Sequence, residues 1–509
     1  MKTASDDVFV LIKSLSPLEK RYFKVVTGMT EEGKGKDYHA LFDCIDKMDE
    51  YDEESIVLKY PDTKFSKNLP VAKKYLFDIL MRSLVDYHSA NTAAHDVRYK
   101  IRGAQILRER NMHDLANKQL VSAKKLAEKH EGHIFLLQIL QQDARTVGNL
   151  SDDVITDKLN SFEQLLGEYL HLIEFDTKFV LLYFRSLTLF RQIRYVRTDD
   201  DRTRLEELLT HPLLKETPDT AVPGHLITHH AILSRIYFML GDYEASYVNH
   251  KICVEQWEAH PEKIERGVGD YAGALVNFAT RCIKTHRYDE FRIAVNKFKA
   301  LTDSSVRIRM IGYEAVHPLD LMYAIQTGQF ELIDGVISAI ASDQHYFKQH
   351  SIPFSSANIN FSILNVLVVL ERYDEALRYA NMILNTTGIE SELLTFTKLI
   401  TLIIHIELGN IDLVEYNVRS LYRHLRKTKR MLHFEEIFLK YVRKFTVASD
   451  NKKFVALLRQ MHAELYDISR NPYEARAFEY FDMLSWLESK IEGIPFSTVI
   501  YRRAQQPAG

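Results

Sequence analysis

The sequence predicts an all-α protein, built as an α-solenoid of stacked antiparallel helical hairpins that follows an N-terminal helical domain. The 509 residues include only 12 prolines and 19 glycines, fewer than average usage, which favours long helices over a turn-rich β-architecture. From residue 225 onward, an apolar helix, a short polar turn and a second helix recur several times. Because one hairpin cannot bury its own apolar face, such hairpins are expected to stack.

Residues 1–100 are expected to form the N-terminal helical domain. Ser16 and Glu19 have the spacing of a capping box at the start of a helix over "SPLEKRYFKVV". The following stretch "GMTEEGKGK" has the glycine and lysine spacing of a phosphate-binding loop. Gly35, however, stands where such a loop needs a hydroxyl for magnesium, and the stretch follows a predicted helix rather than a strand. We interpret it as a loop between helices.

Residues 101–224 are predicted to form further helical hairpins. The end of this region, residues 197–224, concentrates charge, threonine and proline in "RTDDDRTRLEELLTHPLLKETPDTAVPG". Such a composition is typical of an irregular boundary. We therefore expect the repeated hairpins to begin after it.

Residues 225–470 carry the repeat. Five turns, "LGDYEAS", "THRYDEF", "TGQFELI", "ERYDEAL" and "LGNIDLV", are each followed by a helical pattern. Their anchor residues lie 45, 42, 43 and 38 positions apart and are Tyr243, Tyr288, Phe330, Tyr373 and Ile411. A fixed period of this length predicts one helical hairpin per unit.

This pattern resembles the tetratricopeptide repeat, most clearly in "ILSRIYFMLGDYEAS" and "LNVLVVLERYDEALRYA". The spacing is longer than the 34 residues of that family, so we describe the chain as tetratricopeptide-like. The resemblance implies a right-handed solenoid whose first helices line a concave groove. It also implies that this groove holds an extended peptide or a helix of a protein partner.

The C-terminal end of the array is expected to need a cap. The stretch 471–493, "NPYEARAFEYFDMLSWLESKIEG", predicts one capping helix that begins near Asn471, with Glu474 placed as in a capping box. A short tail, 494–509, is expected after it.

Polar side chains form a stripe on the first helices of several hairpins, and they are the candidate partner-binding residues. In "SANINFSILNVLVVL" the polar positions fall on one face of an otherwise apolar helix. Counting back from the other turns gives equivalent positions, and the full set is Arg235, Asn277, Thr280, Lys284, Asn358, Ser362 and Asn365. The alternative is that these residues bond neighbouring helices or face solvent.

A second candidate surface is basic. Residues 419–444 contain nine lysines and arginines against two glutamates, and one helical face carries Arg419, Arg423, Arg426, Lys427 and Arg430. An acidic partner or a phosphate could bind there, although a solvated helix face is the alternative.

The stretch "FSKNLPVAKKYLFDILMRSL" could be a DNA-reading helix with Lys67, Lys73 and Lys74 near its start, but residues 1–100 are not basic overall.

Composition and motifs favour a binding protein over an enzyme. Three widely spaced cysteines form no C-x-x-C pair, and the net charge of −3 gives no global attraction to nucleic acid or membrane. His225 and His229 have the i, i+4 spacing of metal ligands but no nearby third ligand, so we interpret them as helix-surface histidines. We therefore expect a cytoplasmic, non-enzymatic scaffold for a protein or peptide partner, without cofactor or metal. A peptide-sensing or nucleic-acid-associated regulator is the alternative.

Overall fold

A computed structural model describes residues 6–30, 35–89, 92–145, 152–193, 196, 198–215, 218, 222–302, 305–350, 352–428, 433–446, 451–471, 474–475 and 477–505. Throughout these residues the regular secondary structure is helical and no strand occurs. The all-α prediction is therefore confirmed. None of the helices in this described part combines the length and apolar character needed to span a membrane.

The chain divides into two compact units, Met1–Phe175 and Asp176–Gly509. The first unit contains nine helices in its described residues: α1 Asp7–Ser14, α2 Pro17–Thr30, α3 Gly35–Asp46, α4 Glu53–Lys59, α5 Lys64–Lys67, α6 Leu69–Ser89, α7 Ala93–Glu109, α8 His113–Lys129 and α9 His133–Ala144. The long helix α10, Asp152–Ile193, contains the point of division. The sequence placed the boundary in residues 197–224 instead, where two further helices occur.

The N-terminal helices α1–α6 enclose their own apolar core, which includes Phe23, Phe42 and Leu76. The predicted capping box begins α2: Ser16 N donates to Glu19 Oε2 at 2.7 Å, and Glu19 N donates to Ser16 Oγ at 3.3 Å. Two of the four free amide groups at this helix end are thereby satisfied. The start of α2 was thus predictable from four residues.

The second unit continues the helical order. Its helices are α11 Asp199–Leu209, α12 Pro212–Lys215, α13 Pro223–Leu240, α14 Tyr243–Ala259, α15 Pro261–Arg266, α16 Val268–Lys284, α17 Tyr288–Lys299, α18 Val306–Ile311, α19 His317–Thr327, α20 Ile333–Gln349, α21 Ala357–Val369, α22 Tyr373–Leu384, α23 Ser391–Glu407, α24 Ile411–Thr428, α25 His433–Phe445, α26 Asn451–Ser469, α27 Ala477–Tyr480, α28 Met483–Glu492 and α29 Phe496–Ala504. A π-helical turn, Gly312–Val316, joins α18 to α19, and a 3₁₀ turn, Phe330–Leu332, precedes α20.

Successive helices of the second unit pack as adjacent pairs. The pairs are α13 with α14, α16 with α17, α19 with α20, α21 with α22, and α23 with α24. We call the earlier member of each pair a first helix and the later member a second helix. The predicted anchor residues each begin a second helix or the 3₁₀ turn before one, as the repeat pattern indicated.

The turns between paired helices share one backbone geometry. Each contains one residue with positive φ, and these residues are Gly241, His286, Gly328, Glu371 and Gly409. The next residue donates its N–H to a carbonyl five positions earlier, for example Asp242 N to Tyr237 O at 3.0 Å and Arg372 N to Leu367 O at 2.8 Å. This bond is the mark of a Schellman motif, which ends a helix with a left-handed residue. The positive-φ residues recur at the same spacings as the anchors, so the sequence period corresponds to a repeated turn.

The C-terminal segment, residues 474–504, differs from the predicted capping helix and tail. Where one helix was expected over 471–493, the described residues form the short α27 and then α28, which starts at the N-cap Asp482. Residues of the expected tail form α29. Helix α28 packs on α26, and α29 packs on α28 and on α19. The segment therefore contacts helices far back in the second unit.

Candidate partner-binding site

A buried arginine lies beside the predicted stripe residues of α16. Arg281 of α16 is 6% exposed. Its Nε donates to Ser234 Oγ at 3.2 Å and to Ser246 Oγ at 3.3 Å, which joins α16 to α13 and α14. Its Nη1 donates to the backbone carbonyl of Asn277 at 3.0 Å. The guanidinium lies over the ring of Phe238, 4.6 Å from the ring centre.

A second arginine, Arg235 of α13, lies close enough for its charge to act on Arg281. Arg235 Nη1 donates to Ser186 Oγ at 2.7 Å, and its guanidinium lies 4.6 Å from the ring centre of Tyr183. Burial and then the charge of Arg235 lower the pKa of Arg281 to about 9, which leaves it charged at neutral pH. Within the described part of the chain, no carboxylate lies within 4.0 Å of either guanidinium.

The residues beneath the arginines are neutral. His250 of α14 is buried, with Nδ1 3.1 Å from Ser234 Oγ and Nε2 3.1 Å from the carbonyl of Ala274. Burial, together with the charge of Arg281, lowers the pKa of His250 well below its usual range. Burial raises the pKa of Cys253 to about 12, so the thiol stays protonated. Neither His250 nor Cys253 therefore carries a negative charge that could offset the positive charges of Arg235 and Arg281.

Lys284 lies one helical turn beyond Arg281 and is held by the C-terminal segment. Its Nζ donates to Glu479 Oε2 at 2.8 Å, and the hydroxyl of Tyr243 donates to Glu479 Oε1 at 2.5 Å. The Lys284 and Glu479 side chains are 17% and 26% exposed. One position of the predicted groove is therefore occupied by a carboxylate of the same chain.

Tyr480, the next residue, is bound by later first helices. Its ring stacks on Phe396 of α23, with ring centres 4.3 Å apart and an interplanar angle of 6°. Its hydroxyl donates to Glu392 Oε2 at 2.8 Å, and its ring makes a T-shaped contact with Phe361 of α21. The surface of the hairpins thus holds an acidic residue and an aromatic residue in succession.

The remaining stripe residues fall into two groups. The side chains of Thr280, Ser362 and Asn365 each donate to the backbone carbonyl four residues earlier in their own helix, at 2.9, 3.2 and 2.9 Å. Asn277 and Asn358 are exposed. The structure thus brings Arg235, Asn277 and Arg281 together in one cluster, while the three polar positions of α21 lie on a different helix.

The basic surface combines cations with aromatic rings. Arg426 of α24 and Arg443 of α25 both lie over the ring of Tyr422, at 4.6 and 5.4 Å from its centre. Arg419 forms an ion pair with Glu415 at 3.4 Å. Both Arg419 and Arg426 are exposed, so this face is in contact with solvent.

Other basic positions extend this surface only in part. Arg423 is exposed. Burial and then the charge of Arg423 lower the pKa of Lys398. Arg430 and the side chain of Lys427 lie outside the described residues.

The proposed DNA-reading helix uses one of its lysines internally. Lys73 is buried, forms an ion pair with Glu53 and lies 2.8 Å from the hydroxyl of Tyr51. Lys67 and Lys74 are exposed. Of the three lysines near the start of this helix, only Lys67 and Lys74 are therefore accessible to a nucleic acid.

His225 and His229 of α13 are buried, which corrects their interpretation as surface residues. His225 lies 2.5 Å from Asp176 Oδ1 and stacks on Phe179. His229 Nδ1 lies 3.1 Å from the carbonyl of Leu213. Both side chains fasten α13 to neighbouring segments. The described residues contain no group of three or more metal-binding side chains.

Sequence reasoning missed Arg281 and Glu479. Arg281 follows the stripe position Thr280 and lies one helical turn after Asn277, between the stripe and the buried Phe278 and Cys282. A charged residue next to apolar positions was the available signal. Glu479 gave no such signal, because its partners are about 200 residues away in the chain.

Comparisons of the chain with protein-family models, with curated proteins and with solved structures find no match.

Proposed function

We propose that this chain acts by binding, and that it holds a segment of a protein partner against the first helices of its second unit. The face of these helices would form a groove, as the tetratricopeptide-like pattern suggests. The protein would then work as a scaffold or adaptor without chemistry of its own. The raised pKa values of Cys253 and Cys282, both about 12 because of burial, fit this proposal, since thiols make poor nucleophiles.

One observation carries the proposal, namely that the hairpins already bind a peptide-like segment in cis. Glu479 is held by Lys284 and Tyr243, and Tyr480 is stacked on Phe396. Charge-assisted hydrogen bonds and aromatic stacking are the contacts by which helical grooves bind a partner segment. The exposed amides of Asn277 and Asn358 would extend the same face.

The proposal is tested by capture of partners from the native host with the full-length protein as bait. The wild type is compared with a variant in which Asn277, Lys284 and Asn365 are all changed to alanine. The control variant carries Arg292→Ala, Asn296→Ala and Asn381→Ala, which remove exposed side chains from the second helices α17 and α22.

Quantitative mass spectrometry then gives the result. We expect the first-helix variant to lose a protein that the wild type and the control both capture. Equal capture by all three proteins, each with an unchanged circular dichroism spectrum, would contradict binding along the first helices.

The basic surface supports a second candidate function, association with a nucleic acid. The observation that favours it is the pair of guanidiniums over Tyr422, because arginines beside an aromatic ring suit phosphate and base contacts. A gel-shift assay tests it with the wild type and with an Arg423→Gln, Arg426→Gln variant. Binding that weakens with salt and in the variant would support it, and absence of binding at low salt would contradict it.

A further inference from the structure

We propose that Arg235 and Arg281 form an oxyanion-binding site, and that its ligand is the carboxylate of an acidic residue in the partner segment. The inference deepens the proposed function and rests on it for the source of the carboxylate. The site lies between α10, α13, α14 and α16, next to the exposed Asn277. A free phosphate shares the required chemistry and serves as a probe.

The first argument is the cost of the buried charge. Arg281 is more than nine-tenths buried, and its described neighbours are hydroxyls, an amide, a neutral histidine and an aromatic ring. A buried charge is expensive unless an opposite charge or a full set of hydrogen bonds compensates it. Arg235 adds a second charge of the same sign. A bound anion would compensate both.

The second argument comes from other arginines of the same unit. Arg287 lies 4.0 Å above the ring of Tyr247 and binds Glu244 through two hydrogen bonds of 2.9 Å. Arg287 therefore has an aromatic ring beneath it and a carboxylate that accepts hydrogen bonds from both of its terminal nitrogens.

Arg309 repeats this arrangement, over Tyr346 at 3.9 Å and bound to Asp343 at 2.8 Å. Arg235 over Tyr183 and Arg281 over Phe238 have the arginine and the ring. Among the described residues, no carboxylate is bound to Arg235 or Arg281.

The third argument is that hydrogen-bond donors remain for a ligand. Arg235 is bonded through Nη1, and Arg281 through Nε and Nη1. Among the described residues, none accepts a hydrogen bond from Nη2 of either side chain. A guanidinium presents its donors in a planar fork that matches a carboxylate or a phosphate. Nη2 of each arginine therefore retains its N–H donors for an oxyanion.

The proposal is tested by isothermal titration of the full-length protein with inorganic phosphate. The variants are Arg235→Gln and Arg281→Gln, and the control is Arg292→Gln, an exposed arginine of α17. We expect wild type and control to bind phosphate equally, and each site variant to bind about tenfold more weakly or worse, because one charge-assisted contact is lost. If Arg281→Gln fails to fold, Arg235→Gln decides, since Arg235 is only half-buried.

A second arm tests the source of the anion. A blocked peptide of sequence AFEY, which copies α27, is titrated beside the same peptide with glutamine in place of glutamate. Binding of AFEY that depends on Arg235 and on the glutamate supports a carboxylate ligand. Phosphate binding without AFEY binding overturns the acidic-segment source while the oxyanion site stands. No phosphate binding, or equal binding by the site variants, overturns the site, whereas partner capture tests the proposed function separately.

Discussion

Gly328 and Gly409 end two first helices with the same backbone conformation, at φ +69° and +71°. A Cβ added at Gly328 would lie 2.6 Å from Cδ2 of Tyr501 in α29, whereas nothing lies within 4 Å of a Cβ added at Gly409. The left-handed conformation costs an alanine about 1–2 kcal/mol in either turn. Overpacking against Tyr501 adds a further ~1–2 kcal/mol for Gly328→Ala alone. The difference between the two variants therefore measures the contact of α29 with the α19 turn.

Urea unfolding followed by tryptophan fluorescence measures this difference. The protein has two tryptophans, Trp257 and Trp486, and both lie in the second unit. We expect Gly328→Ala to lower the free energy of unfolding about 1–2 kcal/mol more than Gly409→Ala does. In a Tyr501→Ala background the two substitutions should cost the same. Equal losses in the wild-type background would refute the position of α29 over this turn.

Three further predictions concern the second unit. Glu474→Ala should destabilise it by about 1–3 kcal/mol, because the buried carboxylate accepts hydrogen bonds from His433 N and Phe434 N at the start of α25. Glu474→Gln should cost less, and urea unfolding of the two variants measures the difference. Burial lowers the pKa of His250 below 6.5, so the unfolded chain takes up the extra proton. As the pH is lowered from 6.5, the free energy of unfolding should then decrease by up to ~1.4 kcal/mol per pH unit, and His250→Gln should reduce this slope. A double-mutant cycle of Lys284→Ala and Glu479→Ala should give a coupling energy of about 0.5–1 kcal/mol, and a value of zero would argue against this ion pair.

The repeated turns were predictable because their signals are local. A polar or glycine residue after an apolar helix, followed by an aromatic anchor, fits a helix end and the start of the next helix. Gly241 and Gly409 show this directly in the sequence. His286 and Glu371 adopt the same left-handed geometry without being glycine, so only the period identifies those two turns.

The C-terminal segment was not predictable by the same reasoning. Glu474 has the spacing of a capping-box residue for its own helix, yet its carboxylate accepts from backbone amides about 40 residues earlier. Trp486 Nε1 donates to Glu407, and Phe496 N donates to Glu371, across about 80 and 125 positions. Helical periodicity indicates which face of a helix is apolar, but not which distant surface that face covers.

The candidate site was predicted in part for a related reason. The polar stripe identified Arg235, Asn277 and Lys284 because polar residues stand out on an apolar helix. Arg281 was overlooked although it lies one helical turn after Asn277, because its contacts with Ser234 and Ser246 appear only when three helices are packed.

Site-specific photo-crosslinking in the native host tests the central claim most directly. A photoreactive phenylalanine analogue replaces Asn277, an exposed residue of the first helix α16, and in a second strain it replaces Asn296, an exposed residue of the second helix α17. Binding along the first helices predicts a discrete crosslinked protein from position 277 and none from position 296. The same adduct from both positions, or an adduct from position 296 alone, would contradict the account.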